Sequence, residues 1–361
     1  MNILVLAGSN ASYNSVRPEL EIFVSLAKAG HNLTIMTEKD TPYAKRFVEH
    51  GIAVVDAVHD KKINFNVISS AKKIIKEKNI DIVYATASRS ISNAILTAIG
   101  TDVKLVTYRG TTGGLYRHDP SSYLNALNPR VDGVICVSQA VNNHVSKQVF
   151  SSSKKVVTIY KGHDIKWYDQ EPIDLKEIGS NKDNFNIACV ANARPHKGLI
   201  YLIKAASELA DIKDIHIHLM GNNIAQEPYL LEIENSGMKE RIHILGVRSD
   251  VPQILAACDV LVHTSIRKEG LARAILESLA SNTPVIASSI DTSKEVIEDG
   301  FNGYITPIKD SSVIAEKIIK LYNSPELLKE LSNNCKHTIE NKMSHKTTAE
   351  KYIEFFESIL K

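Results

Sequence analysis

Short apolar runs alternate with amphipathic stretches along the whole chain. Residues 3–7, 33–37, 52–55, 82–85, 105–108, 133–137 and 156–160 each read as a buried strand. Between the first two, Leu20, Phe23, Val24 and Ala27 fall at i, i+3, i+4 and i+7. That is one face of a helix, with Pro18 expected in its first turn and Gly30 past its end. Residues 67–78 carry the same helical signature, with Ile68, Ala71, Ile74 and Ile75 as its stripe. Apolar strands separated by helices predict a parallel sheet covered on both faces.

The pattern then restarts. Residues 166–184 are polar and irregular, as a linker would be, and 185–191 is again an apolar strand. Leu199, Leu202, Ile203, Ala206 and Leu209 form a helix face. Residues 215–220, 242–245, 260–263 and 285–287 are further strands, the first ending at Gly221. The chain therefore reads as an α/β protein with two doubly wound, Rossmann-like units. The expected boundaries are 1–165, 166–343 and a last helix, 344–361. Tyr352, Phe355, Phe356 and Ile359 share one face of that helix, which must dock on something.

A length of 361 residues allows two or three domains. The net charge of +2 excludes a polycation that coats nucleic acid. That total hides an asymmetry: residues 1–165 carry +7 and the remainder −5. Cys136, Cys189, Cys258 and Cys335 are far apart and form no C-x-x-C, so they are expected as free buried thiols rather than a zinc or redox site. No D-x-D stands at a strand end, and no metal is expected. The apolar N-terminus lacks a basic lead and reads as a strand instead of a signal peptide. No apolar run reaches 18 residues, the least a spanning helix needs.

Ligands of such sheets bind beyond the C-terminal strand ends, where helix N-termini present N–H groups to anions. Two strand-to-helix turns in the second half carry chemistry. One follows the strand at 260–263: Glu269 in the loop, Gly270 opening a helix, and Glu277 two turns in. The backbone there can approach a diphosphate, leaving both carboxylates to accept hydrogen bonds from sugar or ribose hydroxyls. The plainer alternative is a capping acid and a solvated helix residue. The other turn, Arg194-Pro-His-Lys197-Gly198, sets two cations three residues apart before a helix. That suits a diphosphate, although an ordinary basic loop reads the same way.

Taken together, these motifs resemble the retaining glycosyltransferases of family 4, which have the GT-B fold. The family's E-x7-E appears as Ser265-Ile-Arg-Lys-Glu269-Gly270 followed by Glu277-Ser-Leu-Ala and Asn282-Thr-Pro284-Val285-Ile286. The likeness extends through Leu245-Gly-Val-Arg248-Ser-Asp250 and Glu295-Val-Ile-Glu-Asp-Gly300-Phe-Asn-Gly303. It is looser in the first half, at Ala29-Gly30-His31 and Tyr160-Lys-Gly162-His-Asp164. The resemblance implies that Arg194 and Lys197 neutralise the donor diphosphate and that Glu269 contacts the transferred sugar, as catalytic residues. It implies donor contacts from Gly8, Gly221, Val247, Arg248, Gly270, Leu271, Ala272 and Glu277, the last holding the ribose. Ser9, Asn10, Arg109 and His118 would face the acceptor. The last helix would cross back onto the first domain.

The chain departs from the family in places. Asn192 stands at the usual Arg position, with Arg194 two residues later, and Ala272 replaces a Pro. Arg109 occupies the place of an active-site His and cannot act as a base, because it stays protonated. A front-face mechanism needs no such base, since the donor phosphate takes the acceptor proton. The implied activity is transfer of a sugar from a nucleoside diphosphate, UDP first and GDP second, to a hydroxyl of a glycan or lipid-linked glycan, as in lipopolysaccharide or capsule synthesis. No cofactor beyond the nucleotide sugar is implied. A non-catalytic nucleotide-sugar-binding module and a UDP-sugar 2-epimerase remain open alternatives. The expected location is cytoplasmic. Lysines 61, 62, 72, 73, 76 and 78 offer a peripheral contact with an anionic membrane surface.

Overall fold

The computed structural model describes residues 1–8, 13–150 and 154–361. The chain divides into two compact units, one of 1–162 with 345–361 and the other of 163–344. The second unit thus begins at His163, slightly ahead of the linker.

The first unit runs β1 (Asn2–Leu6), α1 (Tyr13–Lys28), β2 (Asn32–Thr37), α2 (Pro42–Glu49), β3 (Ala53–Asp56), α3 (Phe65–Lys78), β4 (Ile82–Ala85), α4 (Ser88–Ala98), β5 (Lys104–Arg109), β6 (Gly133–Cys136), α5 (Gln139–Gln148) and β7 (Lys155–Thr158). Its seven strands are parallel, in the order β3-β2-β1-β4-β5-β6-β7. Order reverses between β1 and β4, so β1 ends at a topological switch point. Helix α1 starts at Tyr13, so Pro18 lies inside it and not in its first turn.

The second unit runs β8 (Phe185–Val190), α6 (Leu199–Leu209), β9 (Ile215–Met220), α7 (Tyr229–Asn235), β10 (Ile242–Gly246), α8 (Val251–Ala257), β11 (Val260–His263), α9 (Arg273–Ala280), β12 (Val285–Ser288), α10 (Asp291–Lys294), β13 (Gly303–Thr306), α11 (Ser311–Tyr322) and α12 (Pro325–Lys342). Its order is β10-β9-β8-β11-β12-β13, again parallel throughout. Here the switch point lies between β8 and β11. The four cysteines are buried and free.

The last helix, α13 (His345–Leu360), returns to the first unit. Tyr352, Phe355, Phe356 and Ile359 are buried in that unit's core. The Tyr352 and Tyr84 hydroxyls lie 3.0 Å apart, and Thr348 donates to the Tyr160 carbonyl at 2.9 Å. Gly133, at the start of β6, makes room: a Cβ there would lie 2.8 Å from the Ile359 side chain.

Helix α3 is capped by Asn64, whose side chain accepts from the amides of Asn66 and Val67. It buries Val67, Ala71, Ile74 and Ile75 and leaves Lys72, Lys73 and Lys76 exposed. At its N-terminal end Phe65 is 79% exposed, near Ile63 at 45% and Val58 at 51%. Among the described residues no helix is long and apolar enough to cross a membrane.

In the second unit His216 and His218 alternate along β9, and His243 stands opposite His218 on β10. The His243 ring stacks on both, with centroids 5.3 and 5.0 Å away. Burial pushes all three imidazoles below their ordinary value, and their mutual repulsion adds to it for His218, which falls to about 3, and for His243. The unfolded chain therefore binds protons below pH 6.5 that the folded unit refuses. Stability should fall as pH drops from 6.5, by about 1.4 kcal/mol per pH unit for each histidine so withheld. A melting series from pH 7.5 to 5 tests this. His243→Gln should flatten the slope, and an unchanged slope would clear the cluster of the effect.

Candidate functional site

Loops leaving β8 and β11 meet at the switch point of the second sheet. The Thr264 hydroxyl donates to the Lys197 carbonyl at 3.1 Å, and the Ile266 amide to that of His196 at 2.9 Å. Gly198 allows this approach. Its φ is +64°, and a Cβ there would lie 2.1 Å from the Thr264 carbonyl oxygen. Gly221 plays the same part at the end of β9, where a Cβ would meet the Ala191 carbonyl at 2.2 Å.

This stitching brings Lys197 onto Glu269. The Lys197 ammonium lies 2.5 Å from Glu269 Oε1, and Ser265 donates its hydroxyl to the same oxygen at 2.6 Å. His263 Nε2 is 3.3 Å from the Ser265 oxygen. The serine's one proton is committed to the carboxylate, so His263 must be the donor, and the tautomer is Nε2–H. Its Nδ1 is then a bare acceptor, buried and without a hydrogen-bond partner. Burial lowers the His263 pKa and keeps the ring neutral. For Glu269, burial acts upward, but neighbouring His263 and Lys197 and the bonds from Lys197 and Ser265 outweigh it and hold the carboxyl below its ordinary value.

Helix α9 starts at Arg273 and not at Gly270, so Glu277 lies one turn into it instead of two, and it is 3% exposed. Arg273, one turn back, places Nε 3.3 Å from its Oε1. Burial pushes the carboxyl up to about 7, with Arg273 opposing. Ala272 is the N-cap of α9 and has no side-chain bond to offer the first-turn amides. These parts surround a cavity of about 410 Å³, lined by Lys197, Gly221, Val247, Arg248, His263, Glu269, Leu271, Ala272 and Glu277 among others. Val247 is an exposed wall, while Arg248 is held in a two-pronged pair with Asp250, at 2.8 and 2.6 Å. An anion-favouring helix end, a cation and two carboxylates in one cleft can hold a diphosphate and the hydroxyls on either side of it.

Other predicted residues lie elsewhere. Arg194 is exposed and absent from the lining, because its side chain leaves the loop before the turn Pro195–Lys197. Gly270 is buried and also absent from the lining. Gly8 is exposed after β1, and Ser9 and Asn10 fall outside the described residues. Arg109 donates Nε to the Thr111 carbonyl at 3.1 Å and Nη2 to that of Gly113, so it braces its own loop. His118 is exposed and stacks on Tyr116 at 5.4 Å. His263 lines the cavity and is not among the residues that the motifs single out. The signal that marks it is a polar residue at the C-terminal end of a strand at the switch point. Among the described residues no group of three His, Cys, Asp or Glu is disposed to hold a metal ion.

Two parallel-sheet units, with a cleft of this kind at the second sheet's switch point, have the architecture of the GT-B fold. Two family models match: Glycosyltransferase Family 4 over residues 20–167 and Glycosyl transferases group 1 over residues 170–338. The chain belongs to the group 1 glycosyltransferases. A putative glycosyltransferase of Bacillus subtilis, EpsD, is 31% identical over 46% of this chain and 45% of its own length. The UDP-Gal:alpha-D-GlcNAc-diphosphoundecaprenol alpha-1,3-galactosyltransferase of Escherichia coli is 26% identical over 58% of this chain and 55% of its own. The matches thus span about half the length of these relatives. The Anabaena protein HepE, solved in complex with UDP, superposes with a TM-score of 0.80 at 22% identity, covering 99% of this chain and 100% of that one.

Proposed function

We propose that this glycosyltransferase moves a sugar from a nucleoside diphosphate, UDP before GDP, to a hydroxyl of a lipid-linked or surface glycan, with retention. The observation that carries the reading is the convergence of Lys197, Glu269, Glu277 and the open end of α9 on one cavity. The UDP complex of HepE and the lipid-linked acceptor in the Escherichia coli relative's name support the choice of donor and acceptor. In this reading Glu277 holds the ribose, Lys197 and the α9 amides hold the diphosphate, and Glu269 orients the sugar. The anomeric carbon–oxygen bond to phosphate breaks as the acceptor oxygen bonds on the same face. The departing phosphate oxygen takes the acceptor proton, so no protein nucleophile or base is required. In this reading the Lys197 ammonium stands in for a divalent ion. The test is a thermal-shift panel with UDP, GDP and ADP, followed by the anomeric configuration of the product by NMR. Ligand at 100 times its Kd stabilises by about 2.7 kcal/mol. No shift with any nucleotide, or an inverted product, sinks the reading.

Such an acceptor calls for a surface that meets a membrane. Phe65, Ile63 and Val58 stand exposed among Lys61, Lys62, Lys72, Lys73 and Lys76, where each lysine adds ~1 kcal/mol of attraction to anionic lipid. Co-sedimentation should therefore occur with vesicles containing phosphatidylglycerol and not with pure phosphatidylcholine. Phe65→Ala should weaken it about tenfold. Equal binding to both vesicle types would remove this surface from the account.

A further inference from the structure

We infer that Lys197 and Glu269 form an exchange pair: an entering diphosphate must take the ammonium away from the carboxylate, and that transfer frees Glu269 for the hydroxyls of the sugar. The inference rests on the donor-site reading above and adds a coupling to it. Both groups line the donor cavity, and they are paired at 2.5 Å. Lys197 is therefore not waiting as an open charge. A diphosphate brings its own oxygens to the ammonium, and the same low-dielectric cleft that strengthens one pair strengthens the other.

The carboxylate does not drift when the ammonium leaves. Ser265 keeps its hydrogen bond to Oε1 at 2.6 Å, and His263, neutral and buried, fixes the direction of that hydroxyl from 3.3 Å. Backbone contacts hold the two loops together whatever the side chains do, through Thr264 to Lys197 and Ile266 to His196. Only the Lys197 side chain needs to swing. The consequence is an order of events: sugar hydroxyls gain their acceptor after the diphosphate is in place. Free sugar should bind poorly without it.

Calorimetric titration with inorganic pyrophosphate tests the pair without knowledge of the sugar. Glu269→Gln, which removes the competing charge and keeps the shape, should bind pyrophosphate roughly tenfold more tightly than wild type. Lys197→Met should bind it weakly, and adding Glu269→Gln to Lys197→Met should recover little. Glu269→Ala repeats the measurement should the glutamine variant fold poorly. Equal or weaker binding by both Glu269 variants than by a wild type that does bind overturns the exchange and leaves the donor site standing. An equal gain on the Lys197→Met background shows simple repulsion and also overturns it. Pyrophosphate bound by neither wild type nor the Glu269 variants removes the donor-site reading and this inference together.

Discussion

Glu277→Ala should leave the folded protein intact and cost most of its affinity for a nucleoside diphosphate. Hydrogen bonds to a charged group contribute about 1.5–3 kcal/mol, or ten- to roughly a hundredfold in Kd. The protein loses only an exposed partner, Arg273, when the side chain is cut. Glu277→Gln adds a test by pH. The carboxyl's folded pKa is raised from its ordinary value to about 7, so its stabilising balance is complete below about pH 4.5 and lost as pH rises through 7. Wild type and Glu277→Gln should therefore melt alike at pH 4.5. At pH 8 the glutamine variant should be the more stable, by ~3 kcal/mol at most. Wild-type affinity for UDP should rise through pH 7, because the ionised carboxylate is the better acceptor, and the variant should lose that rise. A UDP affinity indifferent to both substitutions would take Glu277 out of the site.

Gly198→Ala should be among the more damaging single-carbon changes in the second unit. The added Cβ would sit 2.1 Å from the Thr264 carbonyl oxygen and 3.1 Å from its carbon, on a backbone at φ +64°. Backbone meets backbone there, and neither side can rotate away. Strain and clash together should cost about 3 kcal/mol or more, which is roughly 10 °C in Tm for a unit of this size. The damage should reach function as well, since relief requires the two loops to part and Lys197 to leave Glu269. Ala at 198 with an unaltered melting curve and unaltered pyrophosphate binding would mean that the approach is looser than described.

The alternation of apolar strands and helices makes both sheets legible, and it places twelve of the thirteen strands among the described residues. Strand β13 is not placed, because Gly303-Tyr-Ile-Thr306 is four residues with no periodicity to read. Glu269 could be singled out because it lies between a strand end and a helix start, and Glu277 because it follows eight residues on, inside that helix. Spacing says nothing of rotamers, so the pairing of Lys197 with Glu269 and the burial of Glu277 were out of reach. Arg194 is close to Lys197 along the chain, yet it is exposed and off the cavity lining, a separation that spacing does not reveal. Arg109 is expected to face the acceptor, and the bonds it makes to two carbonyls of its own loop are not legible in the sequence.

Helix α13 comes from the last residues of the chain and completes the core of the first unit. On the ribosome, residues 1–162 emerge before residues 163–344 and yet wait for residues 345–361, made after both. The second unit, whose segment is continuous, can fold during synthesis, whereas the first leaves the faces of Tyr84 and Gly133 uncovered until residues 345–361 emerge. A nascent chain stalled before His345 should hold a protease-resistant second unit and a chaperone-dependent first one.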